Sequence, residues 1–496
     1  DTLSVWMMDN GLGSQKAMQR IVKNFQKESG IPVNVRVLNW GEAFDEISKA
    51  LSSTDSSARL PDVIQLGSTW VAHFAAKGQI RSIDFLMDQM DSTRFLVEGL
   101  KSSLIDDKPG IYSLPWFLDV RGLYANERQW NELEICDSNI ATYPKFMGTL
   151  RAVATAPIRN AKGVAIVPFA LPGKNDWTGP QQMAPFIWGY GGKFIERSAR
   201  GLHSALLDSA TLAGIAVYAK ILGDADLAPN SLSENSAQNA DRFIQSEQLF
   251  LVGTSELIRQ LEFPVEEGGL KTSLIDEDGI VMVPPPAGPV GRFSFVGGSH
   301  LALSAKTDTT KYANAEKLFA YLLSANNIDA YSRSVGFLPA DKSIISIWNQ
   351  DPRYSRLIAD LENGRSFPNI PEWGSIENEL IQLANKMGEA FAKNANEQER
   401  SRILAELVLD AHKRINVILK YGEVTNDKLL IPIIASQLLI KDLEDRPTNL
   451  NIPWFMTPFP VKRFALALAI LAILSVLYVG FRLFARFYRD RSSHKN

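Results

Sequence analysis

DVIQLGSTWVAHFAAKGQI, residues 62–80, decides how the first part of the chain folds. DVIQL is a segment of strand length. After the polar GSTW, Val71, Phe74 and Ala75 fall on one helical face, and Gly78 ends the turn. The segment therefore reads strand, polar loop, helix, and the same pattern stands twice before it. LSVWMM (3–8) leads through DNGLGS into a helix whose Met18, Ile21, Val22 and Phe25 recur at i, i+3, i+4 and i+7, with Ser14 as N-cap and Gly30 just past the end. PVNVRVL (32–38) alternates Val33, Val35 and Val37, and Asn39 opens a helix carrying Phe44, Ile47 and Leu51.

Successive strand–helix units predict an α/β fold, a parallel sheet with helices on both faces. Ligands of such sheets lie outside the carboxyl ends of the strands. At that edge stand Met8, Asp9 and Asn10, then Asn39 and Trp40, then Gly67, Ser68, Thr69 and Trp70. A sugar ring offers C–H groups on its face and hydroxyls on its rim, so an indole platform with Asp, Asn and Ser beside it suits that chemistry. The other reading of Trp40 and Trp70 is core packing at a helix start. Gly11-Leu12-Gly13 has the look of a dinucleotide-binding turn, but Lys16 replaces its third glycine and no acidic residue ends the second strand, which argues against a nicotinamide cofactor.

From GSTW onward a longer series of matches runs in order along the chain. DVIQLGSTWVAHFAAKGQIRSID (62–84), IYSLPWFLDVRGLYANERQW (111–130), APFIWGYGGKFIE (184–196), FVGGSHLALSAKTDTTKYANAEKLFAYLLS (295–324), YSRSVGFLPA (331–340) and SRILAELVLDAHKRINVIL (401–419) resemble the bacterial extracellular solute-binding proteins, family 1, of carbohydrate-type ABC importers. The resemblance spans about residues 1–420. It implies a two-lobed periplasmic-binding-protein fold with a hinge of two or three crossings and solute held between the lobes. Lobe one would take 1–113 and 299–340, and lobe two 114–298 and 341–420. It implies ligand contacts at Trp70, Trp116, Asp119, Arg121, Trp188 and Ser299, and behind these at Asp9, Trp40, Tyr190, Gly298, His300, Arg333 and Trp373. Asp119 and Arg121 also read as a structural ion pair, Trp188 as core beneath the double glycine, and Arg333 as a helix cap. Gly297 and Gly298 suit a hinge because glycine absorbs backbone rotation.

The chain then continues where the family stops. FALALAILAILSVLYVGF (464–481) carries no charge and, at 1.5 Å per residue, reaches about 27 Å, close to a bilayer core. Arg482, Arg486, Arg489, Arg491 and Lys495 follow it, opposed only by Asp490. This surplus predicts a transmembrane helix at 461–482 and a basic cytoplasmic tail at 483–496, with the lobes outside a bacterial inner membrane. A row of small residues, Ala465, Ala469, Ala472, Val476 and Gly480, fits a packing seam against another membrane helix. Residues 421–460 form an extension. Its apolar run Leu429 to Ile440, broken by Pro432, is too short to span, and it suits packing on lobe two, the membrane surface or a partner. Trp454, Phe455 and Phe459 stand where an interfacial aromatic belt belongs.

Composition narrows the function classes. The net charge of −3 gives no basic surplus for nucleic acid, and Cys136 is the single cysteine, so a large core rather than disulfides must hold the outer lobes. The five histidines show no metal spacing, and no nucleophile elbow, zinc helix or P-loop motif occurs, which argues against an enzyme and against a metal or other cofactor. Two functions remain: capture of a sugar or other solute for an ABC importer permease, or a sensing or scaffolding subunit of another membrane complex.

Overall fold

The structure, a computed structural model, describes residues 2–54, 60–87, 91–105, 108–156, 158–174, 176–393, 396–423, 425–439, 448 and 450. Strands β1 (Leu3–Met8), β2 (Val33–Leu38) and β3 (Val63–Gly67) alternate with helices Ser14–Ser29, Trp40–Ser52 and Val71–Ala76, as the periodicity predicts. Next come β4 (Leu114–Val120), β5 (Gly122–Asn126), the hairpin β6 (Ile195–Ser198) and β7 (Gly201–Ser204), then β8 (Phe250–Gly253), β9 (Ile280–Val283), β10 (Ser294–Leu303), β11 (Leu338–Pro339) and β12 (Gly364–Arg365).

The larger sheet has the order β11-β4-β10-β3-β1-β2, with β12 beside β10. β2 and β3 run parallel to β1, whereas β10 is antiparallel to both β3 and β4, so the sheet is mixed rather than wholly parallel. Side-chain alternation along β1 supplies both faces. Leu3, Val5 and Met7 enter a core with Met18, Ile21 and Phe25, while Trp6 and Met8 pack with Ile47, Leu51 and Phe74 on the other side. Burial on both faces explains the near-continuous apolar strands. Ser14 is not the N-cap. Gly13, left-handed at φ 83°, takes that place, and the Ser14 hydroxyl donates to Asp9 Oδ1 (3.2 Å).

The smaller sheet, β8-β5-β9, is antiparallel and is overlaid by helices Tyr143–Thr155, Gly179–Gly189 and Ser209–Gly223, with Trp373–Lys393 and Glu397–Ile418 completing the second core. The sheets divide the chain away from the expected boundaries. All of β4 and β10 belongs to the larger sheet, so the first crossing is at Arg121 and the second leaves β9 through Pro284–Phe293. Ile344, Ile345, Trp348 and Leu357 pack with the larger sheet's core, so the third crossing comes after residue 360 and not at 341. Gly297 and Gly298 lie inside β10, paired with Asp119 and Leu118. Gly298 has φ 149°, and a side chain there would strike the Phe117 carbonyl, so close strand approach rather than hinge rotation requires this glycine.

The extension turns back on the second lobe. Helix Asp427–Leu438 buries Ile434 and Leu438 in that core, and Thr448 N donates to Gly148 O (3.0 Å). Among the described residues no helix is long and apolar enough to cross a membrane. The expected span at 464–481, the tail at 483–496 and the aromatic belt lie outside the described residues.

Candidate functional site

Strand order brings the carboxyl-edge residues of the larger sheet into one row. Across β2, β1, β3, β10 and β4 the edge reads Trp40, Asp9, Ser68, Gly298 and Asp119. Asp9 is exposed, and its Oδ1 accepts from Gly11 N (3.2 Å). Asn10 is buried instead. It exchanges amide hydrogen bonds with Gln65 (3.1 Å each way) and donates to the Tyr331 hydroxyl (2.8 Å), fixing the loop behind Asp9.

The two edge tryptophans form a pair. Asn39 caps helix Trp40–Ser52 by accepting from Gly41 N (2.9 Å), which puts Trp40 at its first turn. Trp70 meets Trp40 edge to face at 5.5 Å and Phe44 at 5.4 Å. Gly67 lies beneath both indoles, with a side chain there 3.4 Å from Trp70 and 3.6 Å from Trp40. Trp40 is 38% exposed and Trp70 half-buried, so the pair offers indole surface outward.

The second lobe abuts this edge. Helix Glu256–Gln260 follows β8, and the Glu256 carboxylate stands against Gly11; Leu12 packs over Gly268, and Gly336 (φ 87°) admits the Glu256 and Arg259 stems. Tyr124, Leu251, Leu257 and Ile258 join the larger sheet's core, so the lobes meet in apolar contact at this edge. Asp119 at the end of β4 and Arg121 at the first crossing pair at 3.2 Å. Asp119 Oδ1 and Arg121 Nε are buried without a hydrogen-bond partner. Desolvation raises the Asp119 carboxyl, and Arg121 pulls it back. Burial pushes Glu256 up to about 7, helped by the charges of Asp119 and Asp9 and opposed by the Gln260 amide and Arg121. Asp9, Asp119, Arg121 and Glu256 are therefore one electrostatic group drawn from both lobes. Among the described residues no cluster of three or more His, Cys, Asp or Glu side chains is arranged to hold a metal.

Several expected contact residues sit elsewhere. Trp116 is 1% exposed and stacks on Tyr331 at 4.0 Å, a core position. Trp188 lies parallel to Phe295 (6.5 Å), and fully buried Trp373 packs on Phe367 (4.7 Å) and Phe194 (5.9 Å), so both belong to one aromatic cluster inside the second lobe. Ser299 is sealed and accepts from Gln65 Nε2 (2.7 Å). His300 is a core histidine bonded to Ser113 Oγ (3.0 Å), and burial pushes its imidazole down to about 3, which keeps it neutral. Arg333 pairs with Asp329 (2.9 Å) and covers Trp348, facing the helix Lys342–Trp348. Tyr190 is half-buried at the end of helix Gly179–Gly189, 6.0 Å from Tyr143. Trp177 is 60% exposed. Sequence reasoning missed Glu256, although TSE follows the apolar run LFLVG at a strand's carboxyl end, the signal used for the first lobe.

The fold has well-defined relatives. The chain matches the maltose-bound MalE3 of T. maritima with a TM-score of 0.68 at 15% identity, covering 84% of this chain and 100% of that one. The GacH receptor of Streptomyces glaucescens, described unliganded and with acarbose, matches with a TM-score of 0.65 at 17% identity over 85% and 99% of the two chains. An ABC transporter solute-binding protein from Thermotoga lettingae, bound with alpha-D-tagatose, matches at 0.66 and 17% identity over 84% and 100%. No curated protein sequence matches. These neighbours and the family are binding proteins, not enzymes. The family profile for bacterial extracellular solute-binding proteins matches residues 10–327, and the chain belongs to that family.

Proposed function

We propose that the two lobes capture a small carbohydrate outside the cell and present it to an ABC importer, with 464–481 tethering the receptor to the same membrane. The observation that carries this reading is the split constellation: the indoles of Trp40 and Trp70 and the Asp9 carboxylate on one lobe, Glu256 on the other, and the Asp119–Arg121 pair at the crossing. Indole faces suit sugar C–H surface, and carboxylates accept from rim hydroxyls. A ligand touching both lobes shifts the population toward closure by its differential affinity for the closed form. The maltose, acarbose and tagatose bound by these neighbours support a sugar as the class of guest. Tethering raises the receptor's effective concentration at a membrane partner.

The second reading is a sensing or scaffolding subunit. It is favoured by Trp116, Trp188 and Trp373, which fill the lobes' own cores, and by the direct seating of Glu256 on Gly11. One experiment separates the two. The full chain in detergent is melted against a sugar panel, where a ligand at one hundred times its Kd adds about 2.7 kcal/mol. A shifted melting curve supports the receptor. A flat response with a membrane protein co-purifying supports the scaffold.

A further inference from the structure

The outer face of the extension helix is not absorbed by the reading above. In helix Asp427–Leu438 the run LLIPII occupies 429–434, and its side chains divide between two faces. Ile434 and Leu438 enter the second lobe's core, with Leu430, Ile431 and Ala435 packed against it. Leu429, Pro432 and Ile433, at i, i+3 and i+4, make the opposite face, where Leu429 is 64% exposed and Ile433 49%. A surface helix carries polar residues there, and a helix that is apolar all round is covered all round. Exposed Val417 stands one turn beyond Lys413, whose ammonium pairs with Asp427 at the start of this helix.

Charge and tether length indicate the cover. Glu423 is held by His412 and Asn416 (2.8 Å each) and Asp427 by Lys413, whereas Lys420 and Lys428 are exposed. An apolar face with lysines beside it suits an element lying on anionic lipid. The chain itself brings lipid to this corner. Leu438, at the helix end, lines a pocket with Arg151; one turn away Gly148 O accepts from Thr448 N (3.0 Å), and Leu450 packs on the same core. Only residues 451–463 then precede the predicted span, a reach of at most about 45 Å. A helix of 12 residues is about 18 Å long, so its whole apolar face stays within tether length of the bilayer.

We propose that Leu429, Pro432 and Ile433 seat on the bilayer surface, so that span and helix together fix the second lobe on the membrane and leave the first to move. The proposal rests on the tether reading and deepens it. Three side chains are too few to hold a free protein on lipid, but the tether makes the contact intramolecular.

The test uses the full chain inserted into preformed vesicles of phosphatidylcholine and phosphatidylglycerol, in a Cys136→Ser background. A fluorescent label is attached at Ile433→Cys and, as control, at Ile347→Cys, an exposed position on the first lobe's helix Lys342–Trp348. Nitroxide-bearing lipid is expected to quench the label at 433, while the label at 347 answers only to iodide in the water. Leu429→Asp, on the exposed face, hands the 433 label over to iodide, and an unchanged melting temperature reports that the helix still packs. A 433 label open to iodide without that substitution overturns the proposal. So does a label shielded from both quenchers, as by a protein partner or a second copy, and so does lipid quenching that survives Leu429→Asp. Each of these results leaves the tether standing as long as the chain floats with the vesicles. A chain that does not float overturns the tether and this proposal together.

Discussion

Replacing Glu256 with glutamine is expected to change how stability depends on pH. The carboxyl is buried between the lobes beside Asp119 and Asp9, which raises it from 4.5 to about 7. That difference is roughly two and a half in pKa, and at about 1.36 kcal/mol each the ionised form costs about 3 kcal/mol in the folded protein. The sign follows from proton binding. The folded protein holds the Glu256 proton more tightly than the unfolded chain, so this contribution is full below pH 4.5 and is lost as pH rises through about 7. Urea titrations followed by tryptophan fluorescence between pH 4.5 and 8 measure it as wild type minus Glu256→Gln. Asp360 and Glu377, also pushed to about 7 by burial, contribute equally to both proteins and cancel. The wild type is expected to lose up to about 3 kcal/mol relative to the variant across this range. Parallel profiles would refute the burial of Glu256 between the lobes.

Trp116→Ala should lower stability by about 3–5 kcal/mol through loss of its stacking on Tyr331, while leaving ligand affinity per folded molecule unchanged; calorimetry on the folded variant checks this, and lost affinity with normal stability contradicts it. Gly298→Ala should cost about 1–3 kcal/mol, because φ 149° and the Phe117 carbonyl both oppose a side chain; a thermal melt unchanged from wild type would count against the close approach of β4 and β10. A chain ended at Leu439 should stay in solution without detergent, whereas the full chain sediments with membranes; a full chain equally soluble without detergent removes the anchor.

The opening units were legible because their periodicities are local. Met18, Ile21, Val22 and Phe25 are buried as spaced, and Gly30 ends their helix left-handed at φ 71°. The edge rule also placed Trp40 and Trp70 at one surface before any contact was visible. Lobe boundaries were not legible, since 114–120 and 294–303 are strand-length segments whose sheet is chosen by long-range pairing. Nor was burial of the tryptophans: Trp116 and Trp373 have the residue type of a platform, but strand face and helix packing turn them into the core. Family resemblance named these positions, and their side-chain direction decided against them. Ser299 and His300 share that history, because both lie on β10 within the sheet.

The most direct test of capture between the lobes is a calorimetric titration of sugars into the full chain, repeated with Trp40→Ala/Trp70→Ala. The account predicts saturable one-to-one binding that weakens at least tenfold in the double variant while its melting temperature stays near wild type. Binding of equal strength in both proteins would place the guest elsewhere and contradict it.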